Sequence, residues 1–239
     1  MTRVRWPIFV IGLLWLAGCG GERDPVIEMQ RSMASAPDYM IVLDDMREDG
    51  TFFPQYYHRY LITQGERQHK SDWIEVSDSV YQKYEPFLGM ALVSKTDQGV
   101  NDAAHPPGYD RVGNPQYGQW VNRGGSSFWE FYGQYAFMSS MLGWGSGYGM
   151  SRGDYDQYRS SQRENRPYYG SNKEYGTQGS VTQRQKPSTF ARRKAAMTQK
   201  NSSFSQKLQS RASQGRSSFG STSRSRSTFG GRSGGGFGK

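Results

Sequence analysis

The chain of 239 residues holds a single cysteine, Cys19. One thiol rules out an internal disulfide and any thiolate metal cluster, so in an oxidising compartment the fold must stand on packing alone. Long apolar runs are missing as well. The longest, Trp6-Pro-Ile-Phe-Val-Ile-Gly-Leu-Leu-Trp-Leu16, has eleven residues, against about 20 for a helix that spans a bilayer. The three histidines, His58, His69 and His105, have no zinc-motif spacing, and His105 stands among prolines. His58 falls in a strand pattern, where a solvated surface position is the default.

Other chemical signatures are absent too. Asp45, Asp49 and Gly50 begin like a calcium loop, but Arg47 and Tyr56 occupy ligand positions. Glycines 143, 145, 147 and 149 alternate instead of following the dinucleotide fingerprint, and Gly124-Gly-Ser-Ser-Phe is not a nucleophile elbow. The expectation is a protein that is not an enzyme and has no metal and no cofactor. Acid is the last shortage: after Glu174 there is no Asp or Glu at all.

That shortage divides the chain. Residues 19–150 carry 17 acidic and 10 basic side chains, whereas residues 151–239 carry 4 and 18. One-sided blocks of this kind behave as interaction tails.

The N-terminus is more specific. Arg3 and Arg5 precede the apolar run, which closes on Leu16-Ala-Gly-Cys19. Positive region, apolar core and small residues stand in the order of a secretory signal. The tetrapeptide resembles the lipobox of bacterial lipoproteins, in which the cysteine thiol is diacylglycerylated and the peptide is cut just before it. The resemblance implies Cys19 as the lipid attachment, with diacylglyceryl and palmitate chains. Two or more chains anchor a protein stably, where one does so only marginally. Gly20 stands where inner-membrane lipoproteins often carry Asp, so the resemblance implies the outer membrane, facing the periplasm.

Behind this signal peptide (1–18), residues 19–36 read as a polar tether and 37–123 as one small α+β domain of short antiparallel strands with one or two helices. Tyr39–Leu43 is a buried strand pattern, Asp49-Gly50 a turn, and Thr51–Thr63 a second strand in which Pro54 favours an edge position or strand entry. A third short strand covers Asp72–Val76. Ser77 then caps a helix in which Val80, Tyr84, Phe87, Leu88, Ala91 and Leu92 recur at helical spacing, begun or kinked by Pro86. Residues 97–123 are turn-rich. Within 124–149, Phe128, Phe131, Tyr132, Tyr135, Met138 and Leu142 share one helical stripe, which predicts an apolar helix resting on the domain or on a membrane interface.

Residues 150–239 read as a disordered low-complexity tail of Ser, Arg, Gly and Phe, too poor in apolar side chains to offset the ordering of its backbone. Its cations Arg192, Arg193, Lys194, Arg211, Arg216, Arg224, Arg226 and Arg232 would attract polyanions, and Phe190, Phe204, Phe219 and Phe229 would supply spaced aromatic contacts. Phe204, Leu208 and Arg211, or Phe190, Lys194 and Met197, would suit a short basic amphipathic helix on a surface. In a cytosolic protein such a tail would read as RNA-binding. The export signal disfavours nucleic acid and leaves lipid headgroups, lipopolysaccharide or wall polymer as the anionic target.

The layout resembles bacterial envelope lipoproteins of the YgiB/YjfM type: a lipobox, a polar region, a Ser-Phe-Trp stretch rich in Met, Gly and Tyr, and a Ser/Arg/Gly tail. The matching pieces are Ser127-Phe-Trp129 through Gly149, and Ser217 to Gly238. The resemblance implies location and layout, and no reaction. The expected function is a membrane-anchored, non-enzymatic envelope protein with a head that binds a protein partner. The alternatives are a self-assembling surface component and an enzyme with an unrecognised site.

Overall fold

The computed structural model describes residues 23–50, 53–144 and 149–217. The chain divides into two units, one ending at Arg192 and the other beginning at Arg193. Cys19, Phe219, Arg224, Arg226, Phe229 and Arg232 lie outside the described residues.

The first unit is α+β, built on an antiparallel sheet with helices. Helix α1 (Pro25–Ser32) is followed by strands β1 (Tyr39–Asp49), β2 (Gln55–Gln64), β3 (Arg67–Lys70) and β4 (Ile74–Val76). After helix α2 (Asp78–Tyr84) come β5 (Ala91–Thr96) and β6 (Gly99–Asn101). The sheet order is β3-β2-β1-β5-β6, with β4 also on β2. The expected hairpin is β1–β2. Because β2 is paired on both sides, Pro54 marks strand entry, one residue before β2, and not an edge.

Alternation along β1 explains the layers. Tyr39, Ile41 and Leu43 face one side and join Val26 and Met33 at α1, Val80, Tyr81 and Tyr84 of α2, and Tyr60 and Ile62 of β2. Met40 and Val42 face the other side, with Ala91, Leu61 and Met141. The tether expected over 19–36 is therefore folded from Asp24 onward: Asp24 caps α1 by accepting from the Val26 amide at 3.0 Å, and Val26 and Met33 are core. Pro25 at the first helical position costs no hydrogen bond there.

Ser77 caps α2 as expected, accepting from the Val80 amide at 3.2 Å. The helix does not continue to Leu92. It ends at Tyr84, a 3-10 turn takes up Glu85–Phe87 around Pro86, and Ala91 and Leu92 lie in a strand. Leu88 and Leu92 are core all the same, so apolar spacing across Pro86 reported burial and not helix.

Residues beyond β6 build a second layer. Strands β7 (Gly118–Arg123) and β8 (Ser126–Phe131) form a separate two-stranded sheet. Gly124 and Gly125 turn it with φ of +56° and +82°, the left-handed pair that a tight primed turn demands. The stretch expected as one helix is thus a strand, a 3-10 turn (Gly133–Tyr135) and a short helix, α3 (Ala136–Met141).

The tail expected to be disordered from residue 150 is folded through Arg192. Helix α4 (Arg152–Arg163) starts on a capping box between Ser151 and Asp154, and α5 covers Ser180–Gln185. Tyr158, Tyr168, Tyr175 and Val181 are buried with Trp129, Phe131, Met138 and Leu142. Tyr109 is the hub, its ring centroid 5.7–6.1 Å from those of Trp144, Tyr158, Tyr168 and Tyr175. Large aromatic areas supply the burial that aliphatic residues supply elsewhere. The last described helix, α6, covers Pro187–Ser217. No described helix is long and apolar enough to cross a membrane.

Candidate functional site

Among the described residues three places carry chemistry beyond packing, and the first is an acidic pair on β1. The ladder shifts register between Leu43 and Asp45. Such a bulge re-aims side chains: Leu43 and Met46 stay in the core while Asp44 and Asp45 join the opposite face. Both carboxylates are buried, and cations converge on them. Asp44 is met by Arg59 Nε at 3.0 Å, Lys70 Nζ at 3.1 Å and Lys186 Nζ at 2.9 Å. Asp45 accepts from Thr189 Oγ1 at 2.7 Å and from Arg192 Nη2 at 2.8 and 2.7 Å, with Arg59 Nη2 at 3.3 Å. Burial alone would raise the Asp44 carboxyl; Lys186 and Lys70 hold it below its ordinary value. Around the pair, the guanidinium carbons of Arg47, Arg59 and Arg192 lie 4.6, 4.9 and 6.0 Å from the Trp73 ring centroid.

Charge alone groups Arg192 with the polyanion-binding cations. It closes a two-oxygen ion pair on Asp45 instead, because the acids lacking in the tail's own sequence come from β1, some 150 residues earlier. Phe190, expected as a tail contact, is half-buried against the first core.

A second place lies behind a groove of about 620 Å³, lined by Asp38, Gln64, Arg67, Asp97, Gln116 and Tyr117 among others. Asp38 is bound by Arg111 and by the Tyr117 hydroxyl at 3.2 Å. Arg111 is buried and also donates to both oxygens of Asp110 at 2.9 and 2.7 Å. Asp110 lies 3.6 Å from His105 Nε2, and Ser94 Oγ lies 3.4 Å from the same nitrogen. Burial would raise the Asp110 carboxyl, but Arg111 and His105 hold it well below the usual range.

Ser94, His105 and Asp110 do not form a relay. In a relay the carboxylate orients one ring nitrogen and the hydroxyl meets the other. Here both approach Nε2, while Nδ1 faces the Ala103 carbonyl at 2.8 Å, and all three side chains are buried. The cluster ties His105 to Ser94 of β5 and Asp110, and joins Asp110 through Arg111 to Asp38, which lines the groove with Tyr117. No known protein family, curated protein or solved structure matches this chain.

His58 is not the surface histidine its strand pattern suggested: it is 0 % exposed. It sits on β2 beside Tyr60, with Nδ1 3.0 Å from the Tyr60 hydroxyl and its ring stacked 5.4 Å from Tyr81. Burial pushes its pKa down to about 4, against the opposing pull of Asp24. Among the described residues, no group of three or more His, Cys, Asp or Glu is placed to hold a metal ion.

The third place is the helix beyond Arg192. Residues 193–217 hold six basic and no acidic side chains. Met197, Phe204 and Leu208 are 60 %, 62 % and 51 % exposed, and intervals of seven and four put them on one line of the helix. Lys194 and Arg211 are exposed on the same stretch. Arg193 is half-buried, and Arg216 lies in the last turn of α6. The sequence-predicted residues thus separate: Phe190 and Arg192 belong to the folded head, whereas Lys194, Phe204 and Arg211 belong to the exposed helix. Asp44, Asp45 and Asp38 organise the head; the sequence offers Asp45 only as the start of a rejected calcium loop and does not single out the other two. A doubled acid inside an apolar strand was the available signal.

Proposed function

We propose that this protein is a lipid-anchored, non-enzymatic component of the bacterial envelope, held through Cys19 in the outer membrane and facing the periplasm. Its C-terminal helix contacts an anionic surface, and its folded head binds a protein partner through the Asp38 groove. The observation that carries the reading is helix 193–217, with six cations, no acid and a line of exposed Met197, Phe204 and Leu208. Cations bring such a helix to an anionic surface and apolar side chains hold it there.

The contrast with the head supports this. Lys186 and Arg192, the last two cations before residue 193, are taken up by Asp44 and Asp45, so attraction rests on the residues after Arg192. Each cation near an anionic bilayer is worth about 1 kcal/mol, so reversing Lys194, Lys207 and Arg211 to Glu should weaken binding on the order of 100-fold or more. The test is sedimentation of the full non-acylated chain (Cys19→Ser, residues 19–239) with phosphatidylglycerol vesicles across a salt series. Binding should fall steeply with salt and with the triple reversal. Binding unchanged by either would overturn the reading.

The same line of Met197, Phe204 and Leu208 also suits a narrow helix–helix seam, which is what a self-assembling surface component would use. Concentration-dependent association of the chain without any vesicle would favour that reading.

A further inference from the structure

We propose that the head has a membrane-docking face of its own, formed by α1 and the edge strand β6, and that its partner is the anionic phospholipid bilayer to which Cys19 is attached. The inference rests on the lipid-anchor reading and adds to it which side of the head meets the lipid.

Ile27 and Val100 are exposed at 39 % and 52 %. They line one shallow groove of about 360 Å³ together with Gln30, Arg31, Tyr39 and Lys95. Apolar side chains flanked by cations suit the boundary between headgroups and acyl chains. The groove is held in shape: Lys95 Nζ donates to the Ala34 carbonyl at 2.8 Å, fixing the segment after α1 to β5, and Val26 of α1 is core. Arg31 stands exposed in the last turn of α1.

Chain length selects the occupant. Only five residues separate Cys19 from Pro25 at the start of α1. Six steps of extended chain reach at most about 20 Å, and α1 itself is about 12 Å long. A lipid on Cys19 therefore keeps α1 close to the bilayer surface, and the face that α1 shares with β6 carries exposed apolar side chains beside cations. Sheet order puts β3 at the opposite edge, and its four residues are all exposed and polar.

The single cysteine makes the test direct. In the acylated protein the Cys19 sulfur is a thioether, so Val100→Cys and Gln68→Cys each create one labelling site, at opposite edges of the sheet. Each mature, acylated variant is labelled with a fluorophore, reconstituted in phosphatidylglycerol-containing vesicles and titrated with nitroxide lipid. Docking predicts quenching several-fold stronger at position 100 than at 68, and loss of that difference when Ile27→Glu is added, with circular dichroism unchanged. Equal quenching at both positions in protein that floats with the vesicles overturns the docking face and leaves the anchor standing. Protein that fails to float overturns the anchor and the docking face with it.

Discussion

His58 shows how one buried side chain ties stability to pH. Its folded pKa of about 4 lies below the ordinary value of 6.5 because burial disfavours the imidazolium. Between those values the unfolded chain binds more protons than the folded one, so stability falls as pH drops from about 6.5 to about 4. The loss from this residue amounts to about 3 kcal/mol. Urea unfolding of the parent and His58→Phe at pH 7 and pH 4 should show the variant gaining by about that amount relative to the parent. An unchanged gap between the two would refute the assignment. Asp45 acts at the same scale. Replacing it with Ala removes the acceptor for Thr189 and Arg192, and because Arg192 is half-exposed it can rehydrate. The cost should be about 1–3 kcal/mol, with faster amide exchange over residues 186–192 as the readout.

Among elements, those with a local cause were legible and those with a distant one were not. Ser77 announces α2 because its cap lies within three residues, and Ser77→Ala should cost about 1 kcal/mol in thermal unfolding. Asp49-Gly50 and Pro54 mark the end of β1 and the start of β2 for equally local reasons. The segment 126–142 misled because its aromatics satisfy a helical stripe, while the feature that decides the issue is the Gly124-Gly125 turn pairing Trp120 with Trp129. In the same way α4 and α5 were hidden by composition. Tyr158, Tyr168 and Tyr175 look like low-complexity tyrosines until Tyr109, about 50 residues earlier or more, supplies the ring they pack on. Gly149 belongs to this set: an added Cβ would sit 2.1 Å from the Trp129 carbonyl oxygen. Gly149→Ala should therefore part residues 149–151 from β8 and lower the melting temperature, with Trp129 fluorescence shifting to the red. An unaltered melting curve would count against that packing.

At the scale of the whole molecule, the charge boundary lies at Arg192 and not at residue 150. Residues 23–192 carry 20 acidic and 18 basic side chains, close to balance, and Lys186 and Arg192 of the stretch after 150 are paired with acids on the sheet. Residues 193–217 keep an excess of six cations. The candidate site was legible in the sequence as a basic, Phe-spaced stretch; its true starting point was not, because ion pairing across more than 140 residues leaves no local trace. In the proposed function this whole arrangement hangs from a lipid on Cys19, and mass spectrometry of the N-terminal peptide of the protein purified from bacterial membranes reads that lipid. The expected chain begins at Cys19 with a diacylglyceryl thioether; an unmodified Cys19 still preceded by Met1–Gly18 would overturn the proposal.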